Sequence, residues 1–256
     1  MHTLILAFVQ SISEFLPVSS SGHLILFQFL MNWKSQGIVL DISLHIGTLL
    51  AVCIYFRKEV CNLFLALFYP KAQKKLLINL IVATLPIPIF ALCFLPLIRQ
   101  MRNPYVIAIT LIIFGILLWL ADKYSAQSKE QITVKNAFVI GLAQCLSLIP
   151  GVSRSGITIT AARLCGISRQ TATHFSMLLS IPTISLAGLW AIFKSIQNNN
   201  IHALQSMSYM GILYAFIFGL IVIHLLLRFV KKHSFGVFMV YRVLLGMFIL
   251  LYLAQI

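Results

Sequence analysis

Residues able to do acid–base and phosphate chemistry are concentrated in two short polar runs. In the first, Glu14 is followed by Ser19, Ser20, Ser21, Gly22 and His23; in the second, Arg154 stands among Ser153, Ser155, Gly156 and Thr158. Both runs interrupt long apolar stretches. An ionisable group at membrane depth costs on the order of 3 kcal/mol or more unless it is paired, hydrated or metal-bound. Glu14 and Arg154 are natural partners, and a purely structural salt bridge between them is the plainest reading. That reading leaves the hydroxyls and His23 without a role. Glycine lets backbone N–H groups approach a ligand, and N–H groups with hydroxyls satisfy phosphate oxygens. Helices beginning at Gly22 and Gly156 would aim the positive ends of their dipoles at one spot. Arginine adds a planar fork for a phosphoryl group. The combination reads as an anion site with an acid–base pair beside it. His23 titrates near neutrality when unperturbed and could protonate a leaving group, or could be a hydrogen-bonded packing residue. Ser20 could be a nucleophile, with Glu14 or His23 as base, or could cradle phosphate.

These residues need elements to hold them, and the composition says where those elements lie. Of 256 residues, 60% are hydrophobic and 9% charged, against about 25% charged in ordinary soluble domains. Such a chain cannot build a water-facing surface. Spans of about 20 apolar residues are expected at Ile38–Phe56, Leu76–Ile98, Tyr105–Ala121, Thr171–Phe193, Ser208–Leu227 and Phe235–Ala254. Residues 3–33 and 137–167 are apolar but broken, the first by the run from Gln10 to His23 and the second at Pro150-Gly151. Their arms are too short to cross and suit helical hairpins that enter and return. The two breaks also resemble each other. Gln10 to Gly22 aligns with Gln144 to Gly156 at one constant offset, and six of thirteen positions match, ending in V-S-x-S-G. The expected fold is therefore an all-α polytopic membrane protein built as an inverted-topology repeat. Each half (1–125 and 132–256) holds one re-entrant helical hairpin and three transmembrane helices, so that the hairpins enter from opposite faces and meet near the midplane.

The charge distribution tests this topology. With both termini outside, the inner connectors hold Arg57, Lys58, Lys71, Lys74, Lys75, Lys123, Lys129, Lys135, Arg228, Lys231 and Lys232, and Arg163 and Arg169 also fall inside; the outer ones hold Lys34, Arg99, Arg102 and Lys194. Eleven against four agrees with the positive-inside rule. The same confinement of bases to connectors argues that the net charge of +14 is not a nucleic-acid footprint. Glu59, Asp122 and Glu130 fall in inner connectors and are expected to be solvated, and Asp41 is expected at an interface. His45, His174 and His224 are expected to make interhelical hydrogen bonds. Pro86, Pro88, Pro96 and Pro182 are expected to kink helices. The five cysteines are single and read as core filler rather than disulfides or metal ligands. No signal peptide is expected at the start, because the apolar stretch runs straight into Gln10 and Glu14.

Gln10-x-x-x-Glu14-Phe-Leu-Pro-Val-Ser-Ser-Ser-Gly-His23, then Leu44-His-Ile-Gly-Thr48, Pro150-Gly-Val-Ser-Arg-Ser-Gly156 and Phe175-Ser-Met-Leu-Leu-Ser-Ile-Pro182 together resemble the undecaprenyl-diphosphate phosphatases, also called the bacitracin-resistance family. The resemblance covers nearly the whole chain. It implies hydrolysis of undecaprenyl diphosphate to undecaprenyl phosphate and inorganic phosphate in the bacterial inner membrane, at a site open to the outer face. It also implies a divalent cation, Mg2+ or Ca2+. Glu14, Ser20, His23 and Arg154 match the family's catalytic positions. Gln10 fills a place that many members give to Glu, so the implied metal ligands here are Glu14 and Gln10. The phosphate-binding set reads as Gln10, Ser19, Ser21, Gly22, Ser153, Ser155, Gly156 and Thr158. Expected partners are the polyprenyl diphosphate lipid and the bilayer, with no nucleic acid; a homodimer is left open. The rival classes are an inverted-repeat transporter or lipid flippase, and a non-catalytic anion-binding scaffold.

Overall fold

The computed structural model describes residues 2–31, 38–68, 74–126, 129–197 and 207–255. Lys34 and Lys71, counted above among the connector charges, lie outside the described residues. The described chain is helical: α1 (His2–Phe15), α2 (Ser20–Leu30), α3 (Ile38–Tyr55), α4 (Arg57–Leu65), α5 (Lys74–Thr84), α6 (Pro86–Gln100), α7 (Pro104–Tyr124), α8 (Val134–Gln144), a 3-10 turn (Cys145–Leu148), α9 (Arg154–Leu164), α10 (Arg169–Gln197), α11 (Tyr209–Lys232) and α12 (Gly236–Leu253). Among the described residues five helical stretches are long and apolar enough to cross a membrane, at Lys74–Phe94, Pro104–Tyr124, Arg169–Gln197, Tyr209–Lys232 and Gly236–Leu253. A sixth forms if α3 and α4 count as one span, although the chain bends by 83° between them. That bend was not foreseen; it follows a helix break at Phe56, where apolar sequence gives way to Arg57, Lys58 and Glu59.

Local chemistry places several helix ends. Asn103 accepts from the Val106 N–H at 3.0 Å with Pro104 at the first helical position, and Ser208 accepts from the Gly211 N–H at 3.0 Å. Each side chain satisfies one of the donors a helix start leaves open. Pro86 lacks the N–H that would continue the ladder, and α5 gives way to α6 there. Pro96 and Pro182 lie inside α6 and α10.

The long helices pack in pairs, α3 along α11 and α7 along α12, with α1 also on α11. Close approach depends on missing side chains. A Cβ at Gly219 would sit 2.7 Å from the Ala51 Cβ, and one at Gly246 would sit 2.7 Å from the Ala108 carbonyl oxygen. Without a hydrophobic force between helices in lipid, such tight backbone contact is what drives their association. The largest buried apolar cluster, which includes Phe15, Val52, Phe56, Ile140, Ile159, Phe175, Leu179 and Ile223, joins α1 and α3 to α8, α9, α10 and α11.

The four arms around the two polar runs have 14, 11, 11 and 11 residues, each short of a crossing. One expectation is corrected at the foot of the second. Asp122, read as solvated, is 1% exposed. Its Oδ1 accepts from Arg163 Nε at 3.1 Å and Arg169 Nε at 2.6 Å, and its Oδ2 accepts from the Phe235 N–H at 3.0 Å. This carboxylate ties the end of α7 to α9, α10 and the entry to α12. It is buried because its partners come from far along the chain and satisfy it.

Candidate active site

The two polar runs form matching turns. Ser19 and Ser153, the described non-glycine residues with positive φ (79° and 74°), each cap the helix that follows. Their hydroxyls accept from the N–H of Gly22 at 3.4 Å and of Gly156 at 3.1 Å. The helices therefore start at Ser20 and Arg154, two residues earlier than expected. A left-handed L-residue costs about 1–2 kcal/mol, and such strain is held where surrounding structure over-determines it. Here each turn is over-determined by the other. Ser155 Oγ donates to the Leu16 carbonyl at 3.0 Å, and a Cβ at Gly22 would lie 3.4 Å from Gly151 Cα.

Arg242 is the pin that holds both turns. This fully buried guanidinium donates to the carbonyl oxygens of Pro17 at 3.0 Å, Gly151 at 3.0 Å, Val152 at 3.1 Å, Leu111 at 3.2 Å and Thr110 at 3.4 Å. Sequence reading passed over it, although an arginine in mid-span meets the same cost argument that singled out Glu14. Thr110 assists by donating to the Pro150 carbonyl at 2.7 Å.

At the junction Glu14 meets Arg154. Glu14 Oε1 accepts from Arg154 Nη2 at 3.1 Å, with the side chains 6% and 10% exposed. Glu14 Oε2 accepts from Ser20 Oγ at 2.7 Å and Gln10 Nε2 at 3.2 Å, and His45 Nε2 stands 3.7 Å away. Arg154 Nη1 donates to the Ser176 carbonyl on α10 at 2.9 Å. Two buried atoms on the rim of this pair have no hydrogen-bond partner, Gln10 Oε1 and Arg154 Nε. Buried polar atoms are seldom left so, and here an acceptor oxygen and a donor N–H stand open beside the pair.

The remaining expected residues divide. Gln10, Glu14, Ser20 and Arg154 are brought together. Ser19 and Ser153 spend their hydroxyls on caps, while Ser21 is exposed beside them. Ser155 bonds Leu16, and Thr158 pairs with Ser176 Oγ at 2.7 Å. Gly22 and Gly156 supply capped N–H groups. His23 is engaged by Tyr241: Nδ1 donates to the Ser19 carbonyl at 2.7 Å, and Nε2 meets the Tyr241 hydroxyl at 2.7 Å with the rings stacked. Because a carbonyl only accepts, the neutral ring carries its proton on Nδ1 and Tyr241 donates to Nε2. His45, expected to bond between helices, bonds instead within α3 to the Asp41 carbonyl at 2.8 Å and turns its other nitrogen toward Glu14.

Five helices long and apolar enough to cross a membrane define a polytopic helical membrane protein, with two serine-capped helix starts and a carboxylate–guanidinium pair as its buried polar centre. The family is specific as well. A family model described as bacitracin resistance protein BacA matches residues 3–248, and this chain belongs to that family. It is 44% identical over 254 residues to the undecaprenyl-diphosphatase of Saccharophagus degradans, covering 96% of this chain and 95% of that protein. Undecaprenyl-diphosphatase of Campylobacter concisus is 42% identical, with 97% of each chain covered. Undecaprenyl-diphosphatase 1 of Pseudoalteromonas translucida is 39% identical, with 99% of this chain and 98% of the other covered.

Proposed function

We infer that this chain is an undecaprenyl-diphosphate phosphatase, releasing inorganic phosphate and leaving the monophosphate carrier for another round of cell-wall synthesis. The relatives above support the substrate. The observation that carries the mechanism is the Ser20–Glu14–Arg154 array. Ser20 Oγ, donating to Glu14 Oε2 at 2.7 Å, attacks the terminal phosphorus, and its proton passes to that oxygen. The bond from the terminal phosphorus to the bridging oxygen breaks, polyprenyl phosphate leaves, and water then releases phosphate from Ser20. Arg154 and the two helix starts stabilise the equatorial oxygens as charge builds on them. His23 keeps its proton on the Ser19 carbonyl and accepts from Tyr241, so in this arrangement it orients the start of α2, and the polyprenyl phosphate leaves as an anion.

The residues fit a divalent cation. Glu14 and the unpartnered Gln10 Oε1 are oxygen donors in adjacent turns of α1, suited to Mg2+ or Ca2+. Among the described residues no group of three or more His, Cys, Asp or Glu stands ready to hold a metal. Mg2+ is commonly bound by one or two carboxylates together with substrate phosphates, and it would supply charge neutralisation. The same reading places the chain in the bacterial inner membrane as an inverted repeat with termini outside. Support comes from the matched turns at Ser19 and Ser153 and from the charge asymmetry of the connectors. The prenyl tail lies among the helices, in lipid.

The test is phosphate release from a long-chain prenyl diphosphate by purified protein in detergent with added Mg2+ or Ca2+. Arg154→Ala and Glu14→Ala are expected to lose at least a hundredfold in kcat/KM, and Ser20→Ala to lose comparably. Full activity in either of the first two would count decisively against the site. Substrate movement without phosphate release would favour the transporter.

A further inference from the structure

A cavity of about 590 Å³ opens where the end of α3 meets the start of α10 and the last turns of α11. None of the residues that hold the Glu14–Arg154 pair lines it. Its volume is that of a ligand site rather than a packing defect. Arg228 and Lys231 line it from α11, one turn apart on one helix face. Neither makes an ion pair among the described residues. Two like charges at that spacing repel. The negative end of the helix dipole favours cations at this terminus, but it does not require a hollow in front of them.

Of the other polar groups of the lining, Glu130, His174 and His224 each face a partner, and the Gln170 amide also borders the cavity. Glu130, the carboxylate of the lining, accepts from the hydroxyls of Thr171 at 2.7 Å and Ser168 at 2.9 Å. His174 Nε2 lies 3.7 Å from Glu59 Oε1, and His224 Nδ1 lies 3.2 Å from the Tyr55 hydroxyl. The guanidinium and the ammonium are the cations of this lining without an ion pair among the described residues, and they stand beside an apolar wall that includes Leu227 and Val230. Arginine offers a bidentate fork to phosphate and lysine a mobile point charge. We propose that this cavity binds a phosphate group, as free phosphate or as the headgroup of an anionic lipid, at a site separate from the Glu14–Arg154 centre. The assignment does not depend on the hydrolysis reading.

The full chain is purified as wild type, as Arg228→Gln/Lys231→Gln, and as Arg154→Ala. One arm titrates inorganic phosphate in detergent. The other compares retention of phosphatidylglycerol with phosphatidylcholine in nanodiscs by native mass spectrometry. Affinity in at least one arm is expected to fall tenfold or more in the double variant and to persist in Arg154→Ala, with hydrolysis by the double variant unchanged. The arm that falls identifies the source. Wild-type binding by the double variant in both arms overturns the proposal. So does a loss confined to Arg154→Ala, which would assign all phosphate binding to the first site.

Discussion

Glu14 and Arg154 answer to two different demands, stability and chemistry, and substitution can separate them. Removing one partner of a buried pair strands the other and costs about 3–5 kcal/mol. Replacing both with neutral groups of similar size removes that penalty. Glu14→Gln and Arg154→Met are each expected to lower the melting temperature in detergent, and the double variant to recover most of the loss. Phosphate release should stay abolished in all three. Recovered activity in the double variant would reduce the pair to a structural tether. These two residues were legible in the sequence because a charge inside an apolar run is conspicuous and expensive. Some of the contacts around them were not. The Ser176 carbonyl carries no side-chain signature. Tyr241 reads as one more apolar residue of a span, and its bond to His23 joins positions far apart in the chain. Asp122 was misread for the same reason, since neither Arg163 nor Arg169 is near it in sequence.

Between residue and fold stand the two capped turns, which can be no more rigid than whatever grips their carbonyls. Arg242 grips three of them, Pro17 from the first turn and Gly151 and Val152 from the second, while anchored to α7. Its guanidinium is planar and presents five donors in fixed directions; an ammonium offers three and cannot span the same set. Arg242→Lys is therefore expected to behave as a loss of function rather than a conservative change. Its kcat should fall by at least tenfold with KM little altered, because Arg154 would still bind phosphate but in a looser register. Steady-state phosphate release, with circular dichroism confirming retained helix, measures both. An equal fall in helix content would make Arg242 a folding residue alone. At this scale the sequence was informative in part. The repeated V-S-x-S-G announced two equivalent turns, but the helix starts were placed at the glycines. The serine before each helix takes both the cap and the positive φ, roles that composition assigns more readily to glycine.

For the whole molecule, the spans were legible from length and apolarity, and the departures fall where a span ends or breaks. α3 stops at Tyr55 and the chain turns by 83° into α4, whose sequence Arg57-Lys-Glu-Val-Cys-Asn is too polar to continue inward. A short helix with exposed charges at the end of a span belongs at the interface, with its bases in the aqueous layer. That makes Cys61 a natural reporter of orientation. It is exposed on α4, whereas Cys145 is buried in the protein and Cys93, though exposed, lies on the apolar helix α6. A thiol reacts as its thiolate and needs water to form it, so with the half-buried Cys53 and Cys165 replaced by serine a charged maleimide is expected to modify Cys61 and spare Cys93 and Cys145. If both termini face outward, α4 faces the cytoplasm. In that background labelling should then fail in intact spheroplasts, succeed in inverted vesicles, and be lost from the vesicles in Cys61→Ser. Modification of Cys61 in intact spheroplasts would reverse the orientation of the entire chain. The Glu14–Arg154 centre would keep its geometry, but the surface from which the diphosphate headgroup enters would have to be reassigned.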